Sequence, residues 1–176
     1  MIFKFSTFAD LNTERLMKIY VESNTENAHY FYPDEPDLQK AIRLCEERFS
    51  EYLENDFYSQ SGRIYWVLEE NGQWVSALRT SFIKENIYYI EALETKPNCR
   101  KLGYAGKLLR SVAKHLKTEG SFLLCSNVSK KNIPSLRTHI KSGFRIAADP
   151  GYDYLQNSYE SKCYGMEYRS EDTVAQ

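Results

Sequence analysis

The chain has 176 residues, of which 42% are apolar and 27% charged, and its formal net charge is −1. This composition predicts one globular domain over residues 1–176 with a sizeable core. Binding to nucleic acid needs many phosphate contacts from basic side chains, so no nucleic-acid partner is expected. With no apolar leader and no apolar run of membrane length, we expect a cytoplasmic protein that does not bind a membrane.

The four cysteines do not form a recognisable ligand or disulfide pattern. Cys45, Cys99, Cys125 and Cys163 are widely spaced, with no CxxC pair and no histidine set close by. A chain of this length also lacks the cysteine density of a disulfide-dependent scaffold. We therefore expect neither a metal site nor a disulfide framework.

The first half of the chain predicts alternating strands and helices. The predicted elements are a strand over 2–6, a helix from Asp10 or Asn12 to Val21, a loop over 24–36, a helix from Asp37 to about Asn55, and strands over 63–69, 73–82 and 87–95. Asparagine and aspartate are favoured helix caps. The polar and aromatic stretch 24–36 contains two prolines and is therefore assigned to a loop. Asn71-Gly72 predicts a two-residue hairpin turn between two of the strands.

The stretch from Leu93 to Leu116 predicts a strand, a basic turn and an amphipathic helix that begins near Gly103. Its apolar residues recur at three- and four-residue intervals and so share one buried face. The start of a helix presents unpaired N–H groups and the positive end of the dipole, which together attract phosphate. Because Gly103, Ala105 and Gly106 are small, a ligand can approach those N–H groups. The pattern predicts an anion site.

Neither of two common phosphate-binding patterns is present in this turn. A P-loop requires Ser or Thr after its Gly-Lys pair, whereas Leu108 follows Gly106-Lys107. A Rossmann turn requires three glycines in the pattern GxGxxG, which Gly103 to Gly106 does not supply. The residues alone leave the phosphorylated ligand open, and a nucleotide such as ATP is one alternative.

The remaining elements follow the central helix, which is predicted to end at Gly120. They are a strand over 122–128, a helix from Lys131-Asn132 to Gly143 with Pro134 in its first turn, a strand over 144–147, a loop over 149–157, a strand over 163–168 and a frayed tail over 170–176. Proline is tolerated in a first helical turn, where a missing N–H costs little.

Two segments resemble the motifs of the GNAT superfamily of N-acetyltransferases. Residues Arg100 to Ala105 match its R/Q-x-x-G-x-G/A signature. The second motif, N-x-x-A/S-x-x-x-Y-x-K-x-G-F, is matched by Asn132, Ser135, Lys141, Gly143 and Phe144, with His139 in place of the usual tyrosine. The order of predicted elements also agrees with this superfamily, so the resemblance covers nearly the whole chain.

The resemblance implies an α/β fold with a mixed, mostly antiparallel central sheet flanked by helices. It implies transfer of an acetyl group from acetyl-coenzyme A to a primary amine, by direct attack in a ternary complex. Backbone groups of the turn would hold the pyrophosphate, the strand before it would pair with the pantetheine arm, and an asparagine would contact that arm. The implied cofactor-binding residues are Leu93, Glu94, Thr95, Arg100, Lys101, Leu102, Gly103, Tyr104, Ala105, Gly106 and Asn132. Asn132 is equally suited to be a helix N-cap.

The same resemblance implies two catalytic side chains. His139 takes the position of the tyrosine that protonates the departing thiolate, although an imidazole there can instead pack or contact the cofactor. Glu91 lies in the middle of a strand and is the first candidate for the general base, with Glu94 second. In a regular strand, Glu91 and Glu94 point to opposite faces. The alternative to a catalytic role for Glu91 is an ion pair with Arg79.

The acceptor is expected to be a small-molecule or peptide amine bound by the first ninety residues. Aromatic and acidic residues between Tyr30 and Glu35 can enclose such an acceptor or cover the core. An acyl-coenzyme A-binding or regulatory module without turnover is the alternative to an enzyme, and the histidine at position 139 keeps that alternative open. Either a monomer or a homodimer is expected.

Overall fold

A computed structural model describes residues 1–170 of the chain; the predicted frayed tail lies outside the described residues except for Ser170. The helices are α1 (Thr13–Met17), α2 (Val21–Phe31), α3 (Leu38–Tyr52), α4 (Tyr104–Glu119) and α5 (Ile133–Lys141), with a π-helical turn over Leu53–Phe57. The strands are β1 (Ile2–Phe5), β2 (Arg63–Glu70), β3 (Gln73–Lys84), β4 (Ile87–Thr95), β5 (Leu123–Ser129), β6 (Arg145–Ala148), β7 (Gly151–Asp153), β8 (Ser158–Glu160) and β9 (Cys163–Arg169).

Seven strands form one sheet in the order β1-β2-β3-β4-β5-β9-β6. Within the described residues, β4 and β5 are parallel and the other neighbours in this sheet are antiparallel. One apolar cluster joins the sheet to α4 and α5, and a second joins it to α1 and the π-helical turn. The prediction of a mixed, mostly antiparallel sheet flanked by helices is confirmed.

Several predicted elements are confirmed at residue level. Strand β4 has the predicted bounds, and α4 follows Gly103 and ends before Gly120. Asn71 and Gly72 have φ values of 50° and 75°. Positive φ at both central residues is the geometry of the type I′ hairpin turn that Asn-Gly favours. Asp37 caps α3 by accepting hydrogen bonds from the backbone N–H groups of Gln39 and Lys40.

The prediction of a loop over 24–36 was wrong, because most of this stretch belongs to helix α2. Ala28 is fully buried and Asn24 is 3% exposed. Ala28 packs with Ala41 and Cys45 of α3. Asparagine and threonine lower the helix propensity of this segment, but burial against a neighbouring helix outweighs a weak intrinsic preference. The predicted loop over 149–157 likewise contains β7, which pairs with β8 in a small hairpin.

Three general features concern residues 1–170. No helix in this part of the chain is long and apolar enough to cross a membrane. The same residues contain no group of three or more His, Cys, Asp or Glu side chains placed to hold a metal ion. The four cysteines are free thiols, two of them buried.

Candidate functional site

The sheet opens between β4 and β5. These strands pair only over Ile87–Ile90 and Leu123–Ser126, although β4 continues to Thr95 and β5 to Ser129. The far edge of β4 remains paired with β3 as far as Thr95. In the described structure, the edge of β4 facing the gap therefore lacks a strand neighbour beyond Ile90. Such an edge presents main-chain donors and acceptors to an extended ligand.

The turn before α4 has the geometry of an anion site. Lys101 and Gly103 have φ values of 65° and 80°, and Gly103 is the N-cap of the helix. Within the described chain, no side chain caps this helix start. A Cβ atom added at Gly103 would meet no heavy atom within 4 Å, so the space in front of the first-turn N–H groups is open. Such a site fits a pyrophosphate.

The side chain of Arg100 does not extend into this open space. Its Nε donates to the carbonyl oxygen of Thr95 at 3.2 Å, and its Nη2 lies 3.3 Å from Oε1 of Glu94. The same Nη2 is 2.5 Å from a carboxylate oxygen of Glu22. Arg100 thus fixes the turn to the end of β4 and to the start of α2. Lys101 is exposed, whereas Lys107 forms an ion pair with Glu70.

Asn132 is the N-cap of α5, where its side-chain oxygen accepts a hydrogen bond from the N–H of Ser135 at 3.1 Å. The structural role foreseen for this residue is confirmed. Its amide nitrogen is not used in this cap. A contact between that nitrogen and a cofactor arm therefore remains compatible with the cap.

His139 lies two turns further along α5 and is 2% exposed. Its Nδ1 lies 2.9 Å from the carbonyl oxygen of Ser135 and must carry the proton, since a carbonyl only accepts. The ring packs edge-on against Phe144, and Nε2 has no hydrogen-bond partner within residues 1–170. Burial lowers the pKa of His139, opposed by the Ser135 hydrogen bond. The imidazole is therefore held neutral, with a free lone pair on Nε2.

A β-bulge at Ala92 changes which side chains of β4 share a face. Ala92 has a φ of 50°, and the partners of Ala77 and Arg79 on β3 are Glu94 and Glu91. The two steps from Ala77 to Arg79 on β3 thus span the same length as the three steps from Glu94 to Glu91 on β4. Because Ala77 and Arg79 point to one face, Glu94 and Glu91 also share that face. The predicted opposite orientation of the two carboxylates was wrong, because it assumed a regular strand.

The carbonyl of the bulge is held by buried tyrosines. The hydroxyl of Tyr65 donates to that of Tyr20 at 2.8 Å, and Tyr20 donates to the carbonyl oxygen of Ala92 at 2.6 Å. Burial raises the pKa of both phenols well above its ordinary value, so they stay protonated. This chain of hydrogen bonds keeps the extra residue in place.

A cavity of about 420 Å³ lies on the face of β4 that carries Glu94. It is formed by α2, α3, β3 and β4, and its size is that of a small-molecule site. Its wall combines aromatic and apolar surface with a few polar groups. The lining residues are Tyr20, Ser23, Asn24, Asn27, Phe31, Cys45, Arg48, Phe49, Tyr52, Arg79, Ala92 and Glu94.

Glu94 is the carboxylate in the wall of this cavity. Its side chain is 16% exposed, and the hydroxyl of Ser23 donates to Oε2 at 2.6 Å. Burial raises the pKa of Glu94, opposed by the hydrogen bond from Ser23 and the charge of Arg100. A carboxylate with a raised pKa at the rim of a cleft is suited to accept a proton.

Glu91 instead pairs with Arg79, as the alternative prediction stated. Its Oε1 lies 3.3 Å from Nη2 of Arg79, and the hydroxyl of Ser81 lies 3.4 Å from Oε2. Glu91 is absent from the cavity wall, whereas Arg79 is part of it. Each carboxylate thus lies 3.3 Å from an arginine, Glu91 from Arg79 and Glu94 from Arg100, and of the two it is Glu94, the second candidate base, that lies in the cavity wall.

The predicted acceptor segment contributes one residue, Phe31, to the cavity. Tyr30 is 77% exposed, and Glu35 forms an ion pair with Lys40 at 2.7 Å. Sequence reasoning missed Ser23 and Arg48 as lining residues. The one available signal was the amphipathic spacing of α3, which places Arg48 three residues after the buried Cys45.

The fold and the site together define a class of protein. A mixed, mostly antiparallel sheet flanked by helices, with a helix start suited to an anion, is the arrangement that the resemblance implies for N-acetyltransferases, and the structure adds the gap between β4 and β5.

The sequence profile of the acetyltransferase (GNAT) family matches residues 15–144, well over half of the chain. The chain belongs to this family and is an acetyl-coenzyme A-dependent acyltransferase. No curated protein sequence matches the chain.

Solved structures with low sequence identity share the fold. The PaiA N-acetyltransferase from Thermoplasma acidophilum, in complex with coenzyme A, has a TM-score of 0.64 at 16% identity, covering 96% of this chain and 99% of that one. An aminoglycoside 6′-acetyltransferase of type Ii gives 0.62 at 13% identity, covering 97% of each chain. The IAA acetyltransferase from Bacillus cereus gives 0.61 at 13% identity, covering 96% and 98%.

Proposed function

We propose that this protein moves an acetyl group from acetyl-coenzyme A to a primary amine bound in the cavity beside β4, by direct attack in a ternary complex. The observation that carries the proposal is the location of the cavity. It lies against Ala92 and Glu94, in the part of β4 whose edge toward β5 is unpaired. Donor and acceptor can therefore meet at one short segment of one strand.

The donor would be held mainly by backbone groups. The N–H groups of the turn from Arg100 to Gly106 suit the pyrophosphate, and the unpaired edge over Leu93–Thr95 suits the amide groups of the pantetheine arm. The amide nitrogen of Asn132 is available for the same arm. When bound, acetyl-coenzyme A supplies the acetyl group as a thioester. A backbone N–H of the segment 93–95 would donate to the oxygen of the reacting carbonyl.

Glu94 is the general base in this proposal. Its carboxylate would take the proton from the ammonium or the attacking amine, so that the nitrogen lone pair can bond to the carbonyl carbon while the carbon–sulfur bond breaks. Its position in the cavity wall supports this role over Glu91, and the raised pKa of Glu94 suits a proton acceptor. Glu91 would then act by holding Arg79 in position.

His139 remains the proposed proton donor for the departing thiolate. Because burial holds the ring neutral, Nε2 would first have to take up a proton, either from solvent or the second one that the attacking nitrogen loses, and then pass it to the thiolate sulfur. This requirement is the observation on which the second candidate function rests, an acyl-coenzyme A-binding or regulatory module of this family without turnover. The reaction would take place in the cytoplasm, where free thiols such as these four persist.

Calorimetric titration with acetyl-coenzyme A, coenzyme A and ATP, followed by thiol-release assays over a panel of amines, tests the proposal. Binding of both coenzyme A species with turnover of an amine is the expected result. Cofactor binding without turnover of any amine would favour the module. Binding of ATP alone would contradict both. Light scattering of the same sample would distinguish the predicted monomer from the predicted homodimer.

A further inference from the structure

The lining residues of the cavity include more cations than anions, while Glu91, which is not a lining residue, pairs with one of those cations, Arg79. Among its lining residues, Arg48 and Arg79 are the basic ones, and Glu94 is the acidic one. A primary amine is protonated in neutral solution and brings a positive charge of its own. A cavity for a simple amine or a polyamine is expected to contain an excess of carboxylates, and this one contains an excess of guanidinium groups.

Arg79 is buried with most of its hydrogen-bonding capacity unused. The residue is 9% exposed, and its Nη2 contacts Glu91. Its Nε and Nη1 are buried and have no hydrogen-bond partner within residues 1–170. These two nitrogens carry three of the five N–H donors of a guanidinium. Leaving buried donors unsatisfied is costly, so an acceptor oxygen from outside the chain would stabilise the site.

The aromatic rings around Arg79 do not replace such an oxygen. Its guanidinium carbon lies 5.2 to 5.8 Å from the ring centroids of Phe49, Tyr52 and Phe57. These ring faces stabilise the positive charge but provide no carboxylate-like acceptor for the N–H groups. The rings also exclude water, which strengthens any ionic contact made there.

Arg48 adds a second cation to the cavity wall. It is an exposed residue of α3, and its guanidinium lies 4.6 Å from the ring centroid of Phe31, another lining residue. No carboxylate of residues 1–170 forms an ion pair with it within 4 Å. Two guanidinium groups at one cavity are well matched to a carboxylate, which can accept hydrogen bonds from both.

The positions of Glu94 and Arg79 on neighbouring strands limit the size of the ligand. Glu94 is the cross-strand partner of Ala77, and Arg79 is two residues further along β3 on the same face. The Cα atoms of such diagonal neighbours lie about 7–8 Å apart. A ligand that places its amine at Glu94 and its anionic group at Arg79 and Arg48 is therefore compact.

We infer that the acetyl acceptor is an amino acid or a similarly compact amine with a carboxylate, oriented by Arg79 and Arg48 while its amine faces Glu94. This inference rests on the proposed transferase function and specifies its substrate class. A zwitterion places each of its charges against a group of opposite sign. A polycationic acceptor would meet two guanidinium groups and one carboxylate.

Thiol release with matched acceptors tests the inference. The series pairs ω-amino acids of one to five methylene groups with alkylamines of the same length, and adds a diamine. The value of kcat/KM for the best amino acid is expected to exceed that of its matched alkylamine by about tenfold or more, as expected for a charge-assisted contact. In Arg48→Met, this ratio is expected to fall toward one. Arg43→Met, an exposed charge change on the same helix outside the cavity wall, is expected to preserve the ratio.

Equal or better use of alkylamines or the diamine by the unmodified protein would overturn the inference while leaving the transferase function intact. An unchanged ratio in Arg48→Met would remove Arg48 from the acceptor site and overturn the two-arginine assignment. If no amine of either kind released thiol, the transferase function itself would be contradicted, and the inference would fall with it.

Discussion

The donor region and the acceptor region of this protein offer different groups to their ligands, backbone groups in the first and side chains in the second. The turn before α4 and the open edge of β4 present backbone groups to a ligand, and the side chain of Arg100 contacts the protein instead. The acceptor cavity is lined by side chains from α2, α3, β3 and β4. Backbone recognition depends on chain conformation, whereas side-chain recognition depends on residue identity. The first region can therefore stay constant in a family while the second varies.

The largest effect is expected from Glu94→Gln, which removes the proposed base while keeping the size of the side chain. We expect kcat/KM to fall about 1000-fold, within the usual range for a general base. Because the base works only when deprotonated, wild-type kcat/KM falls as pH decreases through the raised pKa of Glu94. The variant is expected to lose this acidic limb of the pH–rate profile.

Glu91→Gln is the matched control for this experiment. It makes the same chemical change on the same face of β4, three residues earlier in the sequence. The acidic limb is expected to persist in this variant. If Glu91→Gln removes the limb and Glu94→Gln does not, Glu91 is the base that the motif resemblance implied.

The next effect concerns stability, because the acceptor region depends on a nearly buried ion pair. Arg79→Met leaves Glu91 without its cation, and both side chains are less than a fifth exposed. We expect a loss of about 3 kcal/mol in the free energy of unfolding, the lower end of the range for a broken buried pair. The double variant Arg79→Met/Glu91→Leu is expected to recover most of it in urea unfolding. A double variant no more stable than the single one would contradict this account.

A smaller effect is expected at the donor turn. Gly103→Val places a branched side chain at a φ of 80° and in the open space before the helix start. We expect the affinity for coenzyme A to fall about tenfold, from backbone strain and obstruction of the anion site. Gly120→Val also places a branched side chain at a positive φ, 132°, and in open space, but at the opposite end of α4. Its affinity for coenzyme A should be unchanged in calorimetry; equal losses in both variants would indicate general destabilisation.

The smallest effect is expected in the pH dependence of stability at His139. Its pKa is lowered by burial, so the unfolded chain binds a proton more readily than the folded one. The contribution of this group to stability is therefore present above about pH 6.5 and decreases as the pH falls. His139→Phe should reduce the loss of stability between pH 7 and pH 5 in urea titrations. It should also lower kcat more than coenzyme A affinity if the imidazole donates the proton.

His29→Phe serves as the control for the stability measurement, because His29 is an exposed residue of α2. Its unfolding curves should shift with pH in parallel with those of the wild type. If His139→Phe also follows the wild type in parallel, the buried imidazole does not contribute to acid sensitivity.

The donor region could be predicted from the sequence because local patterns determine it. The bounds of β4, the glycine before α4 and the cap at Asn132 all depend on residues adjacent in the chain. The acceptor region could not be predicted in the same way. Helix α2 forms because Ala28 packs against α3, and the cavity wall joins Ser23, Arg48 and Arg79 from separate elements. Contacts between distant segments leave little trace in local periodicity.

The bulge at Ala92 has a consequence for how such an enzyme can change over time. One additional residue in β4 reverses the direction of every side chain that follows it, without altering the sheet order on either side. A deletion there would turn the carboxylate of residue 94 away from the cavity and toward the layer of α4. A change of one codon is thus enough to remove or restore the proposed proton acceptor while the cofactor turn stays intact. Under the role proposed for Glu94, the deletion or insertion of one residue would therefore separate a form with the base from a form without it.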